Sequence, residues 1–174
     1  TVVGDGDGTG ILVEENSAPT ILNNIVTDLA NGINVDASSA GGTVLGANLY
    51  QTNGSHSNVA GNGNFPIVLA DADPLFVDAS VGNYYLAPNS QAIDSSLKSL
   101  ADRPDLIRVK SPLGIGVSPI LAPNEDVFGQ LRGDDPDVAT PAGQGANVFV
   151  DRGAIDRVDF FQPIAVLGNP EDNG

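Results

Sequence analysis

The chain predicts an all-β fold: a three-faced parallel β-helix, its last two or three coils closed by an irregular, loop-rich C-terminal cap with at most one or two short helices. Three observations lead there. Apolar segments of three or four residues recur with a period in the low twenties. Gly, Pro, Asn and Asp punctuate the chain between them, and helices of ordinary length do not fit in the gaps. The 174 residues are enough to bury one core.

The repeat occupies the first third. Gly10-Ile11-Leu12-Val13 returns as Gly32-Ile33-Asn34-Val35 after 22 residues. Pro19-Thr20-Ile21-Leu22 is answered by Gly42-Thr43-Val44-Leu45 after 23, and Asn23-Asn24-Ile25-Val26 by Ala47-Asn48-Leu49-Tyr50 after 24. A leucine-rich repeat shares this period but concentrates its Leu ladder and Asn in one motif, whereas here three separate clusters recur. Stacked coils would set Ile11 on Ile33, Ile21 on Val44 and Ile25 on Leu49, burying apolar area at about 25 cal/mol per Å². Asn24 would lie over Asn48, as an amide ladder or as two residues suited to tight bends.

A solenoid's last coil leaves a row of backbone N–H and C=O groups open, and residues 66–160 are expected to cover it. Strands there are predicted at Ile67-Val68-Leu69, Phe76-Val77, Tyr84-Tyr85-Leu86 and Val148-Phe149-Val150, each cut short by Pro or Gly. Leu97, Leu100 and Ala101 have helical spacing after Asp94-Ser95-Ser96, with Pro104 ending the pattern. The division is residues 1–65 as terminal coils, 66–160 as cap and 161–174 as a tail or linker to a further module.

Charge narrows the partners. The net charge is −15, and no Lys or Arg precedes Lys98. Such a surface repels phosphate backbones and anionic headgroups, so neither nucleic acid nor membrane is an expected partner. No apolar run reaches 18 residues and the first residues lack a signal-peptide pattern, which reads as mature or excised sequence without membrane insertion of its own. With no Cys, disulfides and thiolate metal sites are excluded.

Gly-Ile-x-Val followed by Pro-Thr-Ile-x-Asn-Asn-Ile-Val resembles the right-handed parallel β-helix superfamily of pectate-lyase-like proteins, which includes non-catalytic surface members. Asp73-Pro74-Leu75-Phe76-Val77-Asp78 and Gly82-Asn83-Tyr84-Tyr85-Leu86-Ala87-Pro88-Asn89-Ser90-Gln91-Ala92-Ile93-Asp94 are followed by two further motifs. These are Asp126-Val127-Phe128-Gly129-Gln130-Leu131-Arg132 and Asp151-Arg152-Gly153-Ala154-Ile155-Asp156. The four in order resemble the choice-of-anchor Q domain of large bacterial surface proteins. The chain departs at Gln91, where Pro is usual, at Ser95-Ser96, where Gly often follows, and at Asp156, where Glu is common. The resemblance implies a capped β-helix at the cell surface, joined to upstream β-helix coils of the same protein, with no catalytic residues.

Within these motifs Asp94, Asp126, Arg132, Asp151 and Arg152 are the candidate structural residues, because Arg and Asp can join Gly-rich loops through bidentate hydrogen bonds. Arg132 is expected to pair with the carboxylate of Asp94 or Asp151. Solvated surface charge is the alternative. Asp5, Asp7 and Thr9 place oxygen ligands at alternate positions, as in a calcium loop, but Asn16 stands at the twelfth position instead of the bidentate Glu. A Gly-Asp turn accounts for the same residues, so Ca2+ is a candidate rather than a required cofactor. Asp134-Asp135-Pro136-Asp137 reads as a second hard-cation candidate or a solvated turn. His56, the only His, sits in a polar run read as a loop.

Two functions fit a β-helix. A lyase on these coils would need an Arg or Lys base, and none occurs there. A glycoside hydrolase needs two carboxylates across a cleft; Glu14, Glu15, Asp28 and Asp36 are the acids beside coil strands, and Tyr50 is the one aromatic of the repeated segments. The expectation is a non-catalytic structural or binding module, such as the cap of a stalk or adhesin. Its partner would be a polysaccharide or a cell-surface or matrix component. The alternative is the non-catalytic end of a polysaccharide-active enzyme whose site lies upstream.

Overall fold

The computed structural model describes residues 1–96, 123–135, 138–139 and 150–157. Short strands dominate: β1 (Val2–Val3), β2 (Thr9–Val13), β3 (Thr20–Leu22), β4 (Ile25–Thr27), β5 (Asn31–Val35), β6 (Val44–Gly46), β7 (Leu49–Gln51), β8 (Ser55–Ser57), β9 (Ile67–Val68), β10 (Phe76–Asp78) and β11 (Asn83–Leu86). Among the described residues no helix is long and apolar enough to cross a membrane. The fold is all-β with parallel sheets: β1-β4-β7-β9, β2-β5-β8 and β3-β6. From β1 to β5 each strand pairs with the strand three later. Beside β6, a further strand is replaced by a single parallel bridge from Gly46 to Asn64. An antiparallel pair, β10 and β11, follows.

The bends explain why strands this short end where they do. Asn23 and Ala47 both carry positive φ, 59° and 48°, at the corner between successive strands, and Asp28 and Thr52 do so at the next corner, 57° and 49°. Left-handed backbone reverses the chain in one residue, and Asn and Asp tolerate it through their short polar side chains. Ala47 and Thr52 lack that tolerance. The ladders on either side hold them there.

Ile11 lies opposite Ile33, and Ile25 opposite Leu49, as the repeat predicts. The third pairing differs by one residue: Ile21 lies opposite Leu45, and Val44 opposite Thr20. Thr20 and Thr43 align in the sequence repeat, but a one-residue slip would turn the inward side chains outward. Ile21 and Leu45 both belong to the inner core, and that burial fixes the register. The two residues added between repeats therefore sit in the bend before β6, where Asp36 receives N–H from Ser39 and O–H from Ser38.

Alternation along β4 and β7 divides the core in two. Val26 and Tyr50 point into an inner core with Val13, Ile21, Leu29, Ile33, Val35 and Leu45. Ile25 and Leu49 point the other way, joining Ile67, Leu69, Leu75, Leu86, Ala92 and Ile93 in an outer core. Each such fully buried side chain contributes about 1.5–3 kcal/mol of transfer free energy. The central sheet is thus covered on both faces, as parallel sheets usually are. Part of the cap therefore packs on this face, through Leu75, Leu86, Ala92 and Ile93. The parallel ladder also runs on through Ile67–Val68, past the division at residue 65.

Ser55–Ser57, read from sequence as a loop, is strand β8, with Asn31 opposite Ser55 and Ile33 opposite Ser57. Its polar side chains hide the strand from any hydrophobic pattern. The predicted strands at Ile67, Phe76 and Tyr84 form as β9, β10 and β11. The helix expected around Leu97, Leu100 and Ala101, the strand residues Val148 and Phe149, Pro136, Asp137 and the 161–174 tail lie outside the described residues.

Candidate functional site, a buried aspartate and arginine network

The segment 150–157 reaches several distant parts of the chain. Its backbone pairs with the 92–96 turn, Arg152 N–H donating to Ala92 O at 2.9 Å and Ser96 N–H to Val150 O at 3.1 Å. Gly153 N–H donates to Asn23 O at 2.9 Å in the bend before β4, and Ala154 N–H to Thr1 Oγ1 at 2.9 Å. Ala154 O accepts from Val127 N–H at 2.8 Å, on the tight reversal closed by the Glu125–Leu131 bridge. Gly153 is obligatory here. Its φ is +97°, and a Cβ would come within 2.7 Å of both Ile25 Cδ1 and Thr1 Oγ1.

Carboxylates organise the turns that meet this segment. Asp151 Oδ1 accepts from Asp94 N–H at 3.0 Å and its Oδ2 from Arg157 N–H at 2.7 Å. Both Asp94 oxygens stand 3.2 Å from Asp135 N. Asp126 Oδ1 takes the N–H groups of Phe128 and Gln130, at 2.8 and 3.0 Å, which bends the chain back at Gly129. The guanidiniums supply the complementary donors. Arg152, fully buried, gives Nε–H to Ser95 O at 2.8 Å and Nη1–H to Asn48 O at 3.1 Å. Arg132 donates to Asp151 O at 3.2 Å and Gly153 O at 2.7 Å, and Arg157 to Leu86 O at 3.2 Å.

The expected pairing of Arg132 with the Asp94 or Asp151 carboxylate is not what forms. Among the described residues the carboxylate within ion-pair distance is that of Asp156, at 3.9 Å, and on Asp151 it meets the backbone carbonyl. The reason is backbone accounting. Cap loops have few ladders, and their buried carbonyls and N–H groups still need partners. A guanidinium has five donors and a carboxylate only acceptor sites, so each satisfies several loop groups at once. The candidate residues do converge, with Asp94, Asp126, Asp151 and Arg152 all buried.

Burial sets their electrostatics. It pushes the Asp94 carboxyl up to about 7, with the charges of Asp134, Asp135 and Asp156 adding to the effect and the Asp135 N–H opposing it. Burial likewise pushes Asp151 up to about 7, reinforced by Asp156 and Asp94 and opposed by the N–H groups of Asp94 and Arg157. Arg152 is lowered to about 9 by burial and remains a cation at neutral pH.

Comparison with known protein families, curated proteins and solved structures finds no match to this chain.

Beside the network, Asn24 and Asn48 form an amide contact. Asn48 Oδ1 accepts from both the backbone N–H and the Nδ2 of Asn24 at 3.1 Å, and Asn48 Nδ2 donates to Ile21 O at 3.0 Å. Two more asparagines, missed in the sequence, act the same way. Asn53 bonds Leu29 N–H and Val26 O, and Asn58 bonds the N–H and C=O of Val35. Asn48, Asn53 and Asn58 recur every five residues, one at each of three successive bends, and that spacing was the available signal.

Asp5 and Asp7 are exposed, and Thr9 opens β2. Their loop is stitched to the next bend through backbone, Gly6 N–H to Asp28 O and Asn31 N–H to Gly8 O. Among the described residues no three His, Asp or Glu side chains converge to hold a metal ion. Asp135 is buried beside Asp94, with Asp134 exposed next to it. Tyr50 is fully buried, its ring 5.6 Å from that of His56, and offers no platform to a sugar.

Proposed function

We propose that this chain is the end of a right-handed parallel β-helix in a secreted or cell-surface bacterial protein. In this reading it is a structural or binding module without catalysis, similar to the choice-of-anchor Q domain and continuous with upstream coils. One observation carries the reading. Four charged residues of the cap motifs are spent on backbone groups: Asp94 and Asp151 hold N–H groups, and Arg132 and Arg152 hold carbonyls across the cap. Buried at those tasks, Asp94, Asp151 and Arg152 offer no face to a substrate. The three parallel sheets, with strands pairing three apart, support the β-helix. A flat stack of this kind suits display of bends to a polysaccharide or matrix component.

The test is glycan-array binding of the pure chain with and without Ca2+, beside an assay for released reducing ends. Saturable binding, or no binding, without turnover is expected. Turnover that persists in the pure chain overturns the reading, and binding that requires Ca2+ assigns the metal a role at Asp5, Asp7 and Thr9.

A further inference from the structure

We propose that the cap is a pH-sensitive latch: Asp94 and Asp151 close it when protonated and loosen it when ionised, uncovering the outer face of the central sheet. This goes beyond the module reading and stands without it.

The geometry supplies the device. Asp94 and Asp151 are 0% and 3% exposed, at the meeting of the 92–96 turn, the 132–135 stretch and the 150–157 segment. Among the described residues neither carboxylate has a cation within ion-pair distance; each is held by backbone N–H groups alone. Among the described residues the charges acting on Asp94 are negative, those of Asp134, Asp135, Asp156 and Asp151. Asp151 faces Asp94 and Asp156, with the Arg157 N–H on one oxygen. The nearby guanidiniums are turned elsewhere: Arg132 to Asp151 O, Gly153 O and Asp156, Arg152 to Ser95 O and Asn48 O, and Arg157 to Leu86 O and Asp135. A buried carboxylate without a cation is stable as the neutral acid and costly as the anion.

The sign follows from proton linkage. With the cap open, both groups face water and titrate near 3.9. In the closed cap both are pushed up to about 7. Between about pH 4 and 7 the closed form therefore holds protons that the open form has lost, and opening becomes easier as pH rises through that window. Above about 7 the effect levels off. What opening releases is the outer core, where Ile25, Leu49 and Ile67 meet Leu75, Leu86 and Ile93.

The experiment is hydrogen exchange of the full chain from pH 5 to 8, corrected for intrinsic exchange, in the wild type and in Asp94→Asn/Asp151→Asn. Asn keeps an oxygen acceptor for the backbone N–H groups and cannot ionise. Opening of 84–96 and 150–157 is expected to rise about tenfold or more between pH 5 and 7.5 in the wild type, against unchanged protection in β2, β5 and β8. The Asn variant should show no such rise. Equal opening at both pH values, or a rise that persists in the variant, overturns the latch. Side-chain carboxyl 13C shifts of the wild type give an independent reading should the variant fail to fold. Midpoints near neutrality for Asp94 and Asp151 are expected, and midpoints near 4 overturn it.

Discussion

The coils and the cap bury similar side chains but satisfy their backbones by different means. In residues 1–68 the N–H and C=O groups meet across parallel ladders, and neutral Asn amides close three successive bends, while the Asp36 carboxylate holds the bend before β6. Among the described residues of 75–157 the one regular pairing is β10 with β11, and the described loops beyond it are closed by ionisable side chains. A repeating stack can reuse one small uncharged side chain at each bend, since each bend presents the same pair of groups. Loops of unlike shape need reach and several bonds from one residue, which Arg and Asp provide at the cost of burying charge. The coils are therefore held by many small contacts. The cap depends on a few large ones.

Arg152→Met tests that contrast most severely. It leaves Ser95 O without its donor and Asn48 O with the Ile67 N–H alone, and a loss of about 3–5 kcal/mol in urea unfolding is expected, with the cap lost first. A loss under about 1 kcal/mol would mean that the apolar outer core holds the cap by itself. Gly153→Ala strikes the same joint through sterics, placing a Cβ against Ile25 and Thr1 at positive φ, and about 2–3 kcal/mol is expected from the same measurement. Asn53→Ala removes two bonds from one coil bend, and about 1–2 kcal/mol should be lost, with the remaining bends intact by hydrogen exchange. The smallest effect belongs to Phe128→Ser. Its side chain is 62% exposed against Tyr85, and thermal stability should change by no more than about 0.5 kcal/mol.

Much of the parallel strand pairing was legible, because Ile11 with Ile33 and Ile25 with Leu49 recur as β-branched or apolar pairs at the spacing of the repeat. The slip at Ile21 was not, since a matching Thr outweighed the facing of the side chains. Strand β8 was hidden by its composition: Ser-His-Ser carries no apolar alternation, and its register is inherited from β5 and clamped by Asn53 and Asn58. Within the cap, the sequence marked Asp94, Asp126, Asp151, Arg132 and Arg152 as a set but not their bonds. Their partners are largely main-chain groups, which carry no residue identity and so leave no trace in a motif.

The contact between Thr1 and Ala154 has a mechanical meaning. Residues 1 and 154 touch, and Gly153 is bonded to the bend at Asn23. A pull applied at residues 1 and 157 travels across this joint and leaves the parallel strands between them outside the line of force. The joint must part before the coils feel tension, so the first rupture under load should come from a handful of bonds around Gly153, with the stacked strands still folded behind it.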